Sequence, residues 1–183
     1  MPNFAERLRI AEGIYGILGL DYIMSDSFSV LGDVALMELS KVGFLSSRKV
    51  PPAAVMKCYD WATEMRDQGM CVMGGFQSPL EKDVLTLLLK GGQPIVWVLA
   101  RKLWTPRGVP KAYRAAIEEG RLLVVSPVSQ TVSRVDERSA AMRNRYILEH
   151  SDRVVFAALD PSGSLAKTLA EVNLVRNVPF TIL

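Results

Sequence analysis

From residue 41 onward, short apolar runs alternate with longer segments in which apolar residues recur every three or four positions. Residues 95–100 are typical of the short runs, because they are all apolar, with β-branched and aromatic side chains among them. Such a run is typical of a strand buried on both faces, as in a parallel sheet covered by helices. The alternation therefore predicts an α/β fold, a doubly wound, mostly parallel sheet with helices on both faces.

Local signals mark where the helices begin and end. Pro51 and Pro52 can open one helix, and Ser78 with Glu81 has the spacing of a capping box before a second. Gly91 follows the end of that second helix. The predicted strands are 41–45, 70–73, 95–100, 122–125, 153–158 and 179–183. The predicted helices begin after Pro51 and then cover 79–90, 109–119, 135–149 and 164–172.

Residues 1–40 differ from the rest of the chain. They carry a net charge of −4, and Ile10, Ile14 and Ile17 recur at helical spacing. The segment is too short for a core of its own. We therefore expect two parts, a helical N-terminal extension over residues 1–40 and an α/β domain over residues 41–183.

The charge distribution indicates an anionic partner. The net charge of the chain is only +3, but residues 101–145 alone carry +6. A basic stretch of this kind favours nucleic acid as a partner. A metal site of His and Cys is not expected, because the chain has one histidine and two cysteines.

Cysteine usage and hydropathy bear on the compartment. Cys58 and Cys71 do not form a C-x-x-C pair, so we expect two buried free thiols, which suit the reducing cytoplasm. The start of the chain lacks the basic and apolar regions of a signal peptide. The longest apolar core run has six residues, whereas a membrane-spanning helix needs about 20. A cytoplasmic protein without a membrane partner is expected.

Small residues follow three of the predicted strands. These loops are 46–48, 74–78 and 160–164. In a doubly wound sheet the ligand binds beyond the carboxyl ends of the strands, where free N–H groups at helix N-termini favour anions. Arg48 is the strongest single candidate, because a guanidinium there can hold a phosphate through two hydrogen bonds. The structural alternatives are that the small residues are ordinary helix caps and that Arg48 is a surface arginine paired with a carboxylate.

The basic stretch offers a second set of candidates. Arg107 follows the strand at 95–100, and Arg134, Arg138 and Arg145 recur at spacings that place them on one helix face. With Trp104, Tyr113 and Tyr146 they would form a groove that follows a phosphate backbone and stacks bases. A solvated helix face is the alternative.

Signatures of enzymes and cofactor sites are missing. No G-x-x-x-x-G-K-[ST], G-x-G-x-x-G or G-x-S-x-G motif occurs. Glu81 is explained by its capping position, and His150 by its place at a helix end, where a cation is favourable. We therefore expect neither catalysis nor a bound cofactor.

Five short motifs resemble the DprA/Smf family of DNA-processing proteins. Residues 42–48 resemble its strand and G-S-R turn, and Met73-Gly74-Gly75-Phe76 stands where the family has S-G-[LM]-A. Residues 95–99 look like its T-I-A-V-L strand. Arg143-Asn144-Arg145-Tyr146-Ile147-Leu148 is similar to its R-N-R-I-I helix, and Ser162-Gly163-Ser164-Leu165 to its S-G-S-L loop. Order and spacing agree over residues 35–183.

The resemblance implies a Rossmann-like domain over residues 41–183 that binds single-stranded DNA, forms a homodimer and has a RecA-type recombinase as partner. After the S-G-S-L loop the family has T-A, where this chain has Lys167-Thr168. From the residues and the resemblance together, the candidate nucleic-acid and phosphate-binding residues are Ser46, Ser47, Arg48, Gly74, Gly75, Arg107, Arg143, Arg145, Ser162, Gly163, Ser164 and Lys167.

The chain departs from the family in ways that keep alternatives open. Residues 77–81 replace the family's A-R-G-I-D, and no winged-helix domain follows, so a stand-alone, divergent member is expected. The wider SMF/LOG superfamily implies a second function, a sensor that binds a nucleotide or nucleotide derivative. A third is a LOG-type phosphoribohydrolase, but the glutamate of its P-G-G-x-G-T-x-x-E motif has no counterpart in residues 165–168.

Overall fold

Nine strands form one continuous sheet in the computed structural model, which describes residues 13–17 and 20–183. In chain order they are β1 (Gly13–Ile17), β2 (Leu20–Ser25), β3 (Phe28–Leu31), β4 (Lys41–Leu45), β5 (Cys71–Gly74), β6 (Ile95–Val98), β7 (Leu122–Ser126), β8 (Arg153–Phe156) and β9 (Phe180–Ile182). Their order across the sheet is β1-β2-β3-β7-β6-β5-β4-β8-β9. Strands β4 to β9 are parallel and β1 to β3 are antiparallel, so the mostly parallel sheet is confirmed.

Helices connect the parallel strands, as the alternation predicts. They are α1 (Pro52–Asp67), α2 (Pro79–Leu89), α3 (Lys111–Glu118), α4 (Glu137–His150) and α5 (Ser164–Asn173). Ser78 caps α2 in the expected capping box with Glu81, and Asp136 caps α4 in another box with Ser139. Within the described part of the chain, no helix has the length and apolar character needed to cross a membrane.

The sheet separates two hydrophobic cores. Helices α1 to α3 pack on one face, where Phe44 stacks on Trp61 at 4.8 Å between ring centroids. Helices α4 and α5 pack on the other face, together with a 3₁₀ turn at Val34–Glu38. Successive strand residues point to opposite cores, as Val72 and Met73 do. The expected helices on both faces are therefore confirmed.

Both cysteines are buried free thiols, as expected from their positions. Cys71 lies on β5 and is only 4% exposed. Burial raises the pKa of its thiol to about 11, and the nearby Lys41 ammonium opposes that rise. The Cys71 thiol is therefore neutral at physiological pH and behaves as a small apolar side chain.

The expected N-terminal helix is wrong from Gly13 onward. Residues 13–17 form strand β1, which pairs with β2, while β3 pairs with β7 and joins the main sheet. Tertiary pairing overrides the helical spacing, because β3 buries Phe28 and Val30 against the core under α4 and α5. Residues 1–12 and 18–19 lie outside the described residues. The sheet is continuous across the expected boundary at residue 40.

The strand order places a topological switch point between β4 and β8. From β4 the chain moves through β5, β6 and β7 in one direction, with α1 to α3 on one face. It then crosses to the other face through α4 and returns to β8 on the opposite side of β4. The loops after β4 and β8 diverge to opposite faces, which leaves a crevice between them where such folds bind ligands.

We expect the Gly32→Ala variant to test whether β3 is part of this sheet. Gly32 has φ +115°, and a Cβ there would lie 2.5 Å from the backbone oxygen of Leu122 on β7. Gly69 also has positive φ, at +69°, but a Cβ there meets nothing within 4 Å.

In urea unfolding, Gly69→Ala should cost about 1–2 kcal/mol for the left-handed backbone alone. Gly32→Ala should cost about 1–3 kcal/mol more, because the new methyl group pushes β3 off β7. Equal losses in the two variants would contradict the pairing of β3 with β7.

Candidate nucleic-acid interface

Ser47 ties the loop after β4 to the loop after β8. Its N–H donates to the carbonyl of Ala158 at 2.9 Å, and its Oγ accepts from the N–H of Asp160 at 2.8 Å. The Ser46 hydroxyl donates to the carbonyl of Ser47 at 2.9 Å. Arg48 is exposed, and no hydrogen bond or ion pair found among the described residues involves its guanidinium. The two loops of the switch point thus form one connected rim that presents a free cation.

The loop before α5 closes on Asp160. The N–H and Oγ of Ser162 donate to its Oδ1 at 2.9 and 2.8 Å, and these bonds lower the pKa of the Asp160 carboxyl, with help from the Lys49 charge. Gly163 occupies the N-cap of α5, so no side chain caps the helix. Ser164 begins the helix and is exposed. The first N–H groups of α5 are therefore not satisfied by a capping side chain and carry the positive end of its dipole.

The two glycines at the end of β5, Gly74 and Gly75, make room for neighbouring side chains. A Cβ on Gly74 would lie 2.7 Å from the ring of Phe76, and one on Gly75 would lie 2.8 Å from Nε of Arg143. Phe76 is buried at φ +45°, an uncommon conformation for a bulky residue. Trp97 on β6 donates its Nε1–H to the carbonyl of Gly75 at 2.9 Å. Packing fills the space beside both glycines.

Arg143 reaches from α4 over the sheet to the end of β5. Its side chain is only 8% exposed, and its guanidinium lies against the Gly75 backbone. Nε and Nη2 donate to Asn144 Oδ1 at 3.1 and 2.8 Å, and Nη1 donates to Gln77 Oε1 at 2.7 Å. Burial lowers the pKa of Arg143, while the charge of Glu81 raises it. The guanidinium stays protonated, because arginine does not lose its proton in proteins.

The acceptors that touch Arg143 are neutral amides. Glu81 lies on α2, is 4% exposed, and accepts from the N–H groups of Gln77 and Ser78 at 3.2 and 2.9 Å. It acts on Arg143 through space, since no ion pair within 4.0 Å joins the two among the described residues. A buried positive charge at the carboxyl edge of the sheet is therefore held without a contacting carboxylate.

The two arginines of the Arg-Asn-Arg sequence, Arg143 and Arg145, point to different surfaces of the protein. Two residues apart on a helix, they point about 200° apart. Arg145 forms ion pairs with Glu149 on α4 and Glu171 on α5. It also lines an open groove of about 580 Å³ between the two helices. This groove is lined by Glu137, Arg138, Ala141, Met142, Arg145, Ser164, Lys167, Thr168 and Glu171.

The loop after β6 adds an aromatic cluster. The rings of Trp104 and Tyr113 stack at 6.2 Å and 20°, and both meet buried Trp97 edge-on. The Arg101 guanidinium lies 5.0 Å over the Trp104 ring, a cation–π contact. Arg107 is exposed in the short 3₁₀ turn that follows.

Two expectations for the groove of basic and aromatic residues are wrong. Tyr146 is only 3% exposed and packs on Phe28 and His150 in the core, so its ring cannot stack a base. Arg134 precedes α4, which begins at Glu137, so it shares no helix face with Arg138 and Arg145. The apolar face of α4 explains the first error, and the capping box at Asp136, which sets where α4 begins, explains the second.

The structure gathers the predicted residues into three groups along one edge of the sheet. The switch-point group contains Ser46, Ser47, Arg48, Ser162 and Gly163, the β5 group contains Gly74, Gly75 and Arg143, and the α4–α5 groove contains Arg145, Ser164 and Lys167. Arg107 stands apart, on the far side of β5. In the described ranges, no three His, Cys, Asp or Glu side chains form a metal-binding group.

Sequence reasoning missed the neutral partners of Arg143. Asn144 stands inside the Arg-Asn-Arg sequence, which is the one signal that could have found it. Gln77 opens the segment 77–81 that replaces the family's A-R-G-I-D, but the sequence does not show its contact with Arg143. Trp97 reads as an ordinary strand residue, although its indole N–H holds the Gly75 carbonyl.

The sequence matches no protein-family model, and no curated protein matches it either. Solved structures are similar. DNA processing protein A from Helicobacter pylori, described for its single-stranded DNA binding mode, has a TM-score of 0.64 and 18% identity over 85% of this chain and 70% of that one. DNA processing protein A from Streptococcus pneumoniae has a TM-score of 0.65 and 14% identity over 85% of this chain and 54% of that one.

A third similar structure belongs to a protein with a different ligand. The molybdenum cofactor binding protein of Rippkaea orientalis has a TM-score of 0.53 and 13% identity over 78% of this chain and 75% of that one. The chain spans about half the length of the S. pneumoniae protein. These likenesses confirm the Rossmann-like fold that the resemblance to DprA/Smf implies.

Proposed function

We propose that the carboxyl edge of the sheet binds single-stranded DNA without catalysis, and that the protein serves DNA processing and recombination. The observation that supports this most is Arg143, a guanidinium buried at the edge with neutral side-chain acceptors. Burying a charge without a contacting counter-charge is costly. A phosphate at the edge would supply that counter-charge and so offset the cost.

The extent of the edge favours a polymer over a single phosphate. Strands β6 and β8 are three strand spacings apart in the sheet order β6-β5-β4-β8, which is about 14 Å. Exposed cations stand at both ends of this span, Arg107 after β6 and Arg48 beside the β8 loop. The groove between α4 and α5 adds Arg138 and Lys167 on the neighbouring helix face. A strand of DNA can contact all of these, and one nucleotide cannot.

The local chemistry supports binding without catalysis. Glu81 is the buried acid nearest to Arg143, and its carboxylate accepts the backbone N–H of Ser78 in the capping box and that of Gln77 beside it. The glutamate of LOG-type phosphoribohydrolases has no counterpart in residues 165–168. Without a free acid at these positions, hydrolysis of a nucleotide lacks a general base.

A nucleotide or nucleotide derivative is the second candidate ligand. The uncapped N-terminus of α5 at Gly163 suits one phosphate, because its free N–H groups and dipole favour an anion. The R. orientalis protein, which shares the fold, binds a molybdenum cofactor. Under this alternative the switch-point group would hold the ligand and Arg107 would take no part.

We expect Arg143→Gln to weaken the binding of fluorescein-labelled oligothymidine about tenfold or more, because a charge-assisted hydrogen bond is lost. The slope of log K against log salt should become shallower by about 0.7, the value for one phosphate contact on single-stranded DNA. Fluorescence anisotropy between about 50 and 200 mM salt measures both quantities.

Arg153→Gln is the matched control for this experiment. Arg153 is an exposed arginine at the amino end of β8, away from the carboxyl edge, and its replacement should leave affinity and slope unchanged. Equal losses for both variants would contradict a site at the carboxyl edge. If oligothymidine does not bind and a nucleoside monophosphate raises the Tm instead, the second candidate ligand replaces the first.

We also propose a homodimer that forms through the edge strand β9. Apolar side chains are exposed in and before this strand, Leu174 at 87%, Val175 at 93%, Phe180 at 47% and Ile182 at 51%. Edge strands that stay unpaired are normally protected by charges. Here the single charged residue among 174–183 is Arg176, and its guanidinium donates to the carbonyls of Glu149 and Ser151.

A second copy of the chain is the partner that fits this edge. Two identical edge strands related by a two-fold axis pair antiparallel, and each presents the same apolar surface to the other. A RecA-type recombinase as a further partner rests on the resemblance to DprA/Smf alone.

Ile182→Lys should convert the dimer to a monomer, because it buries a charge in the proposed interface. Met56→Lys is the matched control, since Met56 is 62% exposed on α1 and its replacement should leave the dimer intact. Sedimentation velocity measures both. A dimer that survives Ile182→Lys would contradict pairing through β9.

A further inference from the structure

We infer that the Gln77 side chain is a displaceable cover on Arg143, and that a phosphate oxygen of the ligand takes its place on Nη1. The inference rests on the proposed function, because it assigns the exchange to a phosphodiester of single-stranded DNA. It makes Gln77 a residue that controls access to the buried charge of the site.

The contacts separate a fixed part of Gln77 from an exchangeable one. The backbone N–H of Gln77 donates to Glu81 Oε2 at 3.2 Å, beside the capping box that Glu81 forms with Ser78. Its side chain is exposed, and Oε1 accepts from Arg143 Nη1 at 2.7 Å. Arginine carries only donors, so the amide oxygen and not the amide nitrogen faces it. The amide can therefore turn away into solvent while the loop keeps its conformation.

The other partners of Arg143 would stay in place during the exchange. Asn144, the next residue on α4, holds Nε and Nη2 through its Oδ1, and Gly75 leaves the space that the guanidinium occupies. A guanidinium has five N–H donors, and the described contacts use three of them. A phosphate that replaces the Gln77 amide accepts the Nη1–H bond that Gln77 accepted. It can also accept from the two guanidinium N–H groups that the described contacts leave unused.

A neutral cover explains why the site is not already blocked. A carboxylate in place of Gln77 would form a short ion pair with Arg143 and compete with any anionic ligand. An amide satisfies the donor in the free protein but binds a guanidinium less strongly than a phosphate does. Gln77 thus keeps the buried donor hydrogen-bonded in the free protein and yields to an anion.

A double-mutant cycle with oligothymidine tests the exchange, using wild type, Gln77→Glu, Arg143→Gln and the double variant. Gln77→Glu should weaken binding about tenfold or more in the wild-type background. The added negative charge causes part of this loss whether or not Arg143 is present. In the Arg143→Gln background, Gln77→Glu should therefore weaken binding about fivefold less than it does in wild type. Gln77→Ala should bind at least as tightly as wild type, since no cover has to be displaced.

The Arg143 side chain gives a second readout that does not depend on DNA. Pyrophosphate should shift the Nε–H resonance of Arg143 in ¹H–¹⁵N spectra, at lower concentration in Gln77→Ala than in wild type. This comparison decides the question if Arg143→Gln fails to fold. It also separates the two proposals. If pyrophosphate shifts the resonance but oligothymidine does not bind, the inference about Gln77 stands and DNA is excluded as the ligand.

Three results would overturn the inference. The first is equal weakening by Gln77→Glu in both backgrounds, which would mean that the added charge acts without Arg143. The second is a loss of affinity in Gln77→Ala as large as that in Arg143→Gln, which would make Gln77 a direct contact. The third is an Arg143 Nε–H resonance that shifts with neither pyrophosphate nor oligothymidine.

Discussion

The Arg143 guanidinium against the Gly75 backbone is the contact on which the site depends. It carries a charge from a helix on one face of the sheet to the carboxyl end of a central strand, where α2 of the other face begins. Without a side chain at residue 75, the guanidinium fits where a Cβ would lie 2.8 Å from Nε. The rest of the edge is arranged around it, with Trp97 bound to the Gly75 carbonyl and Gln77 bound to Nη1.

The arginines of the protein differ in how far protein groups already engage them. Arg145 and Arg176 are engaged by protein groups, the first by two glutamates and the second by two backbone carbonyls. Arg48 and Arg107 are exposed, and Arg143 is buried with neutral acceptors. Arginines that look alike in the sequence therefore differ in what they can offer an anion. Their environments, rather than the net charge of residues 101–145, define the proposed path of the DNA.

Much of the α/β fold could be predicted, because it depends on local patterns. Unbroken apolar runs indicate strands buried on both faces, and the local Ser78–Glu81 pattern predicts the capping box at the start of α2. The strand at residues 13–17 could not be predicted, since its pairing with β2 is a tertiary contact that the helical spacing of the isoleucines does not reveal. The separate fates of Arg143 and Arg145, and the burial of Tyr146, follow from how α4 packs. Gln77 depends on a contact across 66 residues of sequence, for which no local pattern exists.

The most direct test of a DNA site at the carboxyl edge is a ¹H–¹⁵N titration of the protein with oligothymidine. The account predicts shifts at the ends of β4, β5, β6 and β8, above all at the backbone amides of residues 46–48, 75–78 and 162–164. Amides at the opposite ends of these strands, such as those of Lys41 and Arg153, should not move. Shifts confined to the opposite ends, or to the outer faces of α1 and α2, would contradict it.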